Sequence, residues 1–236
     1  MTNIPLKNTI ETTRGIAVET CSLALRRGEK LLFEQMSWRL PAGKFLAVTG
    51  ASGAGKSSLL ACLGGVIEPS AGEFELATDD LKSIGFVFQN FRLTANLSVL
   101  INVLCGKLGD YPWWQTLFSF SENDRRTAFT ILQELGLEKL VHRQVRKVSG
   151  GEQQRTAVAR VLLQKPPIIL ADEPTSNLDA ALADKILAVL RRGCAEQNQT
   201  IVCVLHDARL VEKFADYELQ IGAEYKHGWS FRQIQR

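Results

Sequence analysis

The stretch "KFLAVTGASGAGKSS", Lys44 to Ser58, constrains the fold more than any other part of the chain. An apolar run enters a glycine-rich loop, and "KSSLLACLGG" leaves it with helical character, closed by Gly64 and Gly65. Gly50, Ala51, Ser52, Gly53, Ala54, Gly55, Lys56 and Ser57, followed by Ser58, fit G-x-x-x-x-G-K-[ST] in the strand, loop and helix setting that gives the motif its meaning. Backbone N–H groups of such a loop converge on phosphate oxygens, and the helix amino end adds partial positive charge. Lys56 then reaches the outer phosphates and the Ser57 hydroxyl ligates Mg²⁺.

Around this loop the chain alternates strand-like and helix-like segments. "GIAVETCSLAL" and "QMSWRL" read as strands flanking the turn "RRGEK", and "FELA" and "IGFVFQ" follow with strand character. "NLSVLINVLCGKLG" and "SENDRRTAFTILQELGL" read as helices, the second with Ala128, Ile131, Leu132 and Leu135 on one face and a capping-box start at Ser121 and Asp124. "PPIILAD" and "TIVCVL" are buried strands, separated by an amphipathic helix "DAALADKILAVLRRG" that is expected to end at Gly193. The pattern predicts an α/β domain over 15–236 after a polar leader 1–14. Its mainly parallel core, 15–90 and 160–236, takes an inserted helical part over about 91–159.

The near-balanced formal charge of +3, without a basic block, argues against nucleic acid as a partner. Five scattered cysteines without CxxC spacing read as reduced, packed thiols. The first residues lack a secretory pattern, and no apolar run approaches the roughly 20 residues of a membrane-spanning helix. Any membrane role is therefore expected to run through a partner.

Two further stretches carry chemistry. "IILADEPTSNLD" ends an apolar strand with Asp172 and Glu173. A carboxylate at that end, beside a phosphate loop, suits Mg²⁺, so Asp172 takes the metal role. Glu173, expected on the opposite side of the strand, is placed to polarise an attacking water. Asp179 caps the helix that follows. "KVSGGEQQRTAVAR" sets Ser149, Gly150, Gly151 and Glu152 before another helix, a second phosphate-type turn far from the first.

"GASGAGKSS", "VFQN", "VSGGEQQR", "IILADEPTSNLD" and "VLHD" occur in the order and approximate spacing of ABC-type ATPase domains, which the chain resembles from about Gly15 onward. The resemblance implies a P-loop ATPase with an antiparallel β subdomain and a helical subdomain, binding ATP and Mg²⁺. It makes Gln89 the Q-loop glutamine that senses metal and γ-phosphate, and Ser149 to Glu152 the signature loop. Glu173 becomes the catalytic glutamate, Asp179 the D-loop aspartate and His206 the switch histidine. It further implies two copies head to tail, as a homodimer or with a close relative, each signature loop closing on the other's nucleotide. Where the family places an adenine-stacking aromatic, this chain has Arg26 and Arg27, and a guanidinium can also stack on a ring. Val148 and Glu152 replace the usual leucine and glutamine, and the short stretch before "FVFQ" points to a trimmed nucleotide-side sheet.

The run "VLINVLCGKLG" is similar to that of phosphonate-import ATPases. This implies an ATPase subunit at the cytoplasmic face of the inner membrane, an integral permease and an extracytoplasmic solute-binding protein. An export or lipoprotein-release ATPase and a soluble ABC ATPase are the competing readings. Trp113 and Trp114 are expected either to pack within the helical part or to dock a membrane partner.

Overall fold

The computed structural model describes residues 15–78, 80, 83–110 and 120–235. Strands β1 (Ile16–Arg27) and β2 (Lys30–Pro41) form a hairpin whose turn needs the left-handed Gly28. Strand β4 (Ala71–Leu76) joins the far side of β1, giving an antiparallel three-stranded sheet in the order β2-β1-β4.

The second sheet has six strands, ordered β5-β6-β7-β3-β8-β9. These are β3 (Phe45–Gly50), β5 (Gly85–Val87), β6 (Ile168–Ala171), β7 (Thr200–Val204), β8 (Tyr217–Ile221) and β9 (Trp229–Gln233). The first five run parallel and β9 is antiparallel to β8. The apolar runs of β3, β6 and β7 are continuous because both of their faces are covered. Phe45, Ala47, Ile169, Ala171, Ile201 and Cys203 pack into one core, and the alternate residues Leu46, Val48, Leu170, Val202 and Val204 into the other.

Helix α1 (Lys56–Leu63) lies on the face that also receives β1 and β2. The opposite face carries α2 (Val99–Leu104), α3 (Glu122–Glu134), α4 (Gly150–Gln164), α5 (Ala180–Gln197) and α6 (Ala208–Phe214). On α3, Ala128, Leu132 and Leu135 are fully buried and Ile131 packs beside them, as the periodicity predicts. Burying each leucine stabilises the fold by roughly 1.5–3 kcal/mol. Ser121 Oγ accepts the Asp124 N–H and donates its own proton to the Asp124 carboxylate.

Two expectations are corrected. Helix α5 continues through Gly193 to Gln197 and closes at left-handed Asn198; the missing side chain of Gly193 makes room for the Gln199 carboxamide, so the glycine serves packing and not termination. Helix α2 spans six residues and gives way to a 3₁₀ segment, Cys105–Asp110, where Gly106 lies against the Arg160 carbonyl with no space for a Cβ. Helix α4 packs with residues of α2, α3 and the sheet in one shared core.

Of the thiols, Cys62, Cys194 and Cys203 are buried, and burial pushes the first two up to about 11. Cys21, by contrast, is exposed. The leader 1–14, Trp113 and Trp114 lie outside the described residues.

Candidate functional site

Four parallel strands, β5, β6, β7 and β3, stand side by side and end at one edge of the sheet. Ligands of open α/β sheets bind outside this carboxyl edge. Gln89 leaves β5, Asp172 and Glu173 leave β6, His206 leaves β7, and the loop from Gly50 leaves β3. Residues far apart in sequence thus converge because the strand order brings their ends together.

The loop's shape is set by glycine at two points. Gly50, at φ 137°, lies so close to Ile221 that a Cβ would overlap its carbonyl oxygen. Gly55, at φ 113°, packs under Leu32 of β2, which places the β1–β2 hairpin and its exposed Arg26 and Arg27 next to the loop. Lys56 is buried, and its ammonium donates to the carbonyls of Gly50 and Ala51, both at 2.8 Å. Burial lowers the Lys56 pKa, while the Glu173 and Asp172 carboxylates hold it up.

The Ser57 hydroxyl donates to Asp172 Oδ1 at 3.0 Å. Burial raises the Asp172 carboxyl above its ordinary range, with the Ser57 hydrogen bond pulling the other way. Gln89 shares with Phe88, Asn90 and Asp172 the lining of a cavity of about 290 Å³. The Gln89 carboxamide and the Asp172 carboxylate at this cavity, with the Ser57 hydroxyl bonded to that carboxylate, form a hard-oxygen donor set. It fits Mg²⁺, which takes one or two carboxylates and completes its shell with water and phosphate. Among the described residues no group of three or more His, Cys, Asp or Glu stands ready to hold a metal by itself.

Strand β6 ends at Ala171, and Glu173 adopts a left-handed φ of 52°. The two carboxylates diverge because the backbone turns, not because of strand alternation. Glu173 Oε1 lies 2.7 Å from His206 Nε2, so the imidazole donates its Nε2 proton to the carboxylate. Beside them Ser176, Leu178, Asp207 and Arg209 help line a second cavity of about 310 Å³.

Ser149 to Glu152 open α4 through a reciprocal capping box. The Ser149 N–H donates to Glu152 Oε2 at 2.7 Å, and Ser149 Oγ accepts the Glu152 N–H at 3.3 Å. That backbone donor holds the Glu152 carboxyl below its usual range. Both side chains are thereby engaged with each other and not with the 50–58 loop. Gly151 lies against Asn177 and Leu178, and Asp179 caps α5 by accepting the Leu182 N–H at 2.9 Å.

Two residues escaped the sequence reading. Gln154, 1% exposed, donates to the Glu173 carbonyl at 2.8 Å and accepts the Asn177 N–H at 3.3 Å. Its signal was a polar side chain on the helix face of Ala157, Val158 and Val161. Arg160 donates to the carbonyls of Phe91 and Arg92, two successive left-handed residues just beyond Gln89.

A phosphate loop at the carboxyl edge of a parallel sheet, flanked by a hydroxyl–carboxylate pair and a carboxylate–imidazole pair, defines a P-loop nucleoside triphosphatase. The ABC transporter family profile matches residues 33–176. The chain is 37% identical over 201 residues to a phosphonates import ATP-binding protein of Nostoc sp. (strain PCC 7120), covering 81% of this chain and 82% of that protein. It is 36% identical over 216 residues to the hypophosphite import ATP-binding protein of Stutzerimonas stutzeri, covering 86% of this chain and 63% of the other. Among solved structures, an ATP-binding cassette captured as a dimer in a post-hydrolysis state with ADP and Pi superposes with a TM-score of 0.78 and 29% identity, over 93% of this chain and 99% of that one. The chain belongs to the ABC transporter family and is an ABC-type ATPase subunit.

Proposed function

We propose that this ATPase powers import of a phosphonate or a related phosphorus oxyanion through a separate membrane permease, working as a pair of chains at the cytoplasmic face of the inner membrane. The substrate class follows the names of the phosphonate and hypophosphite import relatives. The paired assembly rests on one observation: the signature turn at Ser149 and Gly150 is the exposed start of an otherwise buried helix, and the Ser149 and Glu152 side chains cap each other's backbone N–H there, apart from the 50–58 loop. A helix amino end offered outward suits a γ-phosphate held by a second molecule.

In this reading the 50–58 loop and Lys56 hold the phosphates, and Arg27 stacks on the base. Ser57, Asp172 and Gln89 hold Mg²⁺, which neutralises charge on the phosphate oxygens when bound. Glu173 accepts a proton from the attacking water, and His206, already at its carboxylate, orients it and reaches the γ-phosphate. Ser149, Gly150, Gly151 and Glu152 close on the other chain's nucleotide, with Asp179 at the junction. Phosphate release then loosens the pair.

Glu173→Gln keeps the shape and removes the base. Its kcat is expected to fall at least ~100-fold, the order of general-base catalysis. With ATP and Mg²⁺ it should accumulate as a dimer in size-exclusion chromatography. A variant that stays monomeric and fully active would refute the shared site.

A further inference from the structure

The geometry points to Gln154 as a positioning residue that sets Glu173 for hydrolysis and ties it to the helix start at Ser149. This rests on Glu173 being the hydrolytic base, as proposed above. Gln154 directs its hydrogen bonds to the backbone of the loop after β6 and not to the Glu173 carboxylate. It acts on the backbone that carries the carboxylate.

The carboxamide is 1% exposed and both its ends are satisfied in one orientation only. Nε2 faces the Glu173 carbonyl at 2.8 Å and Oε1 faces the Asn177 N–H at 3.3 Å. Flipping it would set oxygen against oxygen and N–H against N–H. Glu173 itself sits at φ 52°, a conformation that is strained for a non-glycine residue and persists only where its surroundings over-determine it. The over-determination is visible. Besides Gln154, the Glu173 carbonyl accepts the Ser176 N–H at 3.3 Å and the Ser176 hydroxyl at 3.2 Å. Of these donors, only Gln154 comes from another element.

That element is α4, whose first turn is the signature turn. Gln154 lies one turn beyond Gly150, and Gly151 packs without a side chain against Asn177 and Leu178. A displacement of the helix start is therefore carried by the carboxamide to the peptide of Glu173, and from there to the carboxylate beside His206. When the helix start clasps ATP held by the second chain, the position of this chain's own Glu173 changes with it. The two nucleotide sites are thereby linked through Gln154.

Gln154→Met fills the same volume and removes both hydrogen bonds. Its kcat is expected to fall ~10–100-fold, while ATP affinity stays within about 2-fold, the split expected when only the transition state loses support. Placed in the Glu173→Gln background, the same change should give no further loss of single-turnover rate, because two residues acting through one step are not additive. Gln154→Glu keeps the acceptor for Asn177 and loses the donor to Glu173, so it should fall as far as Gln154→Met. Unchanged kcat in either variant overturns the inference, as does an equal fold loss with and without Glu173→Gln. If Glu173→Gln itself leaves kcat intact, the proposed function fails. If it traps the dimer while Gln154→Met is silent, only the role of Gln154 fails.

Discussion

Lys56 is held in place by its own loop. Its buried ammonium is paired with the Gly50 and Ala51 carbonyls, and nearby Glu173 and Asp172 offset part of what burial does to its charge. An incoming phosphate meets a cation whose position is already set, so less is lost in ordering it. Lys56→Ala removes the cation and leaves those carbonyls without that donor. ATP affinity is expected to fall at least ~100-fold, about what a lost charge-assisted contact to phosphate and its unpaired surroundings cost together. Titration with a fluorescent nucleotide checks this, and affinity within twofold of the parent would remove Lys56 from the phosphate site. Lys56, Ser57 and Asp172 were legible because loop spacing and a strand end speak directly of chemistry. Gln154 was not, because its partners are backbone groups of a loop whose approach to α4 no local pattern encodes.

At the scale of elements, β3, β6 and β7 were readable from their continuous apolar runs, β8 and β9 escaped the reading because their apolar residues alternate with polar ones, and two helix ends were misread at glycines. Gly193 looks like a break, yet it makes room for Gln199 inside an unbroken helix, whereas the helix read through Gly106 gives way after Leu104 to a 3₁₀ segment in which that glycine lies against the Arg160 backbone. Such approaches exist only after folding. Equally hidden was the tie between α5 and the start of β3. Arg191 forks onto Asp216, with Nη2 at 2.8 Å from Oδ1, and Asp216 Oδ2 accepts the Phe45 N–H at 2.9 Å. Burial would raise the Asp216 carboxyl, but the Arg191 fork and the Phe45 N–H prevail and hold it below its ordinary range. A lowered folded pKa contributes stability above the unfolded value, about 3.9, that is lost as pH falls through the folded one. Asp216→Asn should therefore cost about 2 kcal/mol at pH 7, allowing for partial solvent screening of the pair. That is a drop of ~4–8 °C in Tm for a domain of this size. The gap should narrow in melts near pH 3. A constant difference across that range would show that the charge on Asp216 contributes nothing.

For the whole molecule, the decisive fact is where its chemistry stops. The site gathers the phosphate-type loop and the residues proposed to hold Mg²⁺ at one sheet edge, and no helix among the described residues is long and apolar enough to cross a membrane. In the proposed reading, work done by hydrolysis leaves through contact with the permease. The transported solute need never touch this chain, which is why no side chain here names it. Substrate should therefore act on the ATPase only from a distance, through the permease. Purified with its permease in lipid, the chain should hydrolyse ATP slowly, and a phosphonate-loaded solute-binding protein should raise kcat several-fold by shifting the pair toward closure. The same binding protein without ligand should do less. The isolated chain should not respond to phosphonate at all, and an isolated chain that does would place a solute site on the ATPase itself. Co-purification with a large extracytoplasmic permease, and no response to any binding protein, would instead assign the chain to export or lipoprotein release.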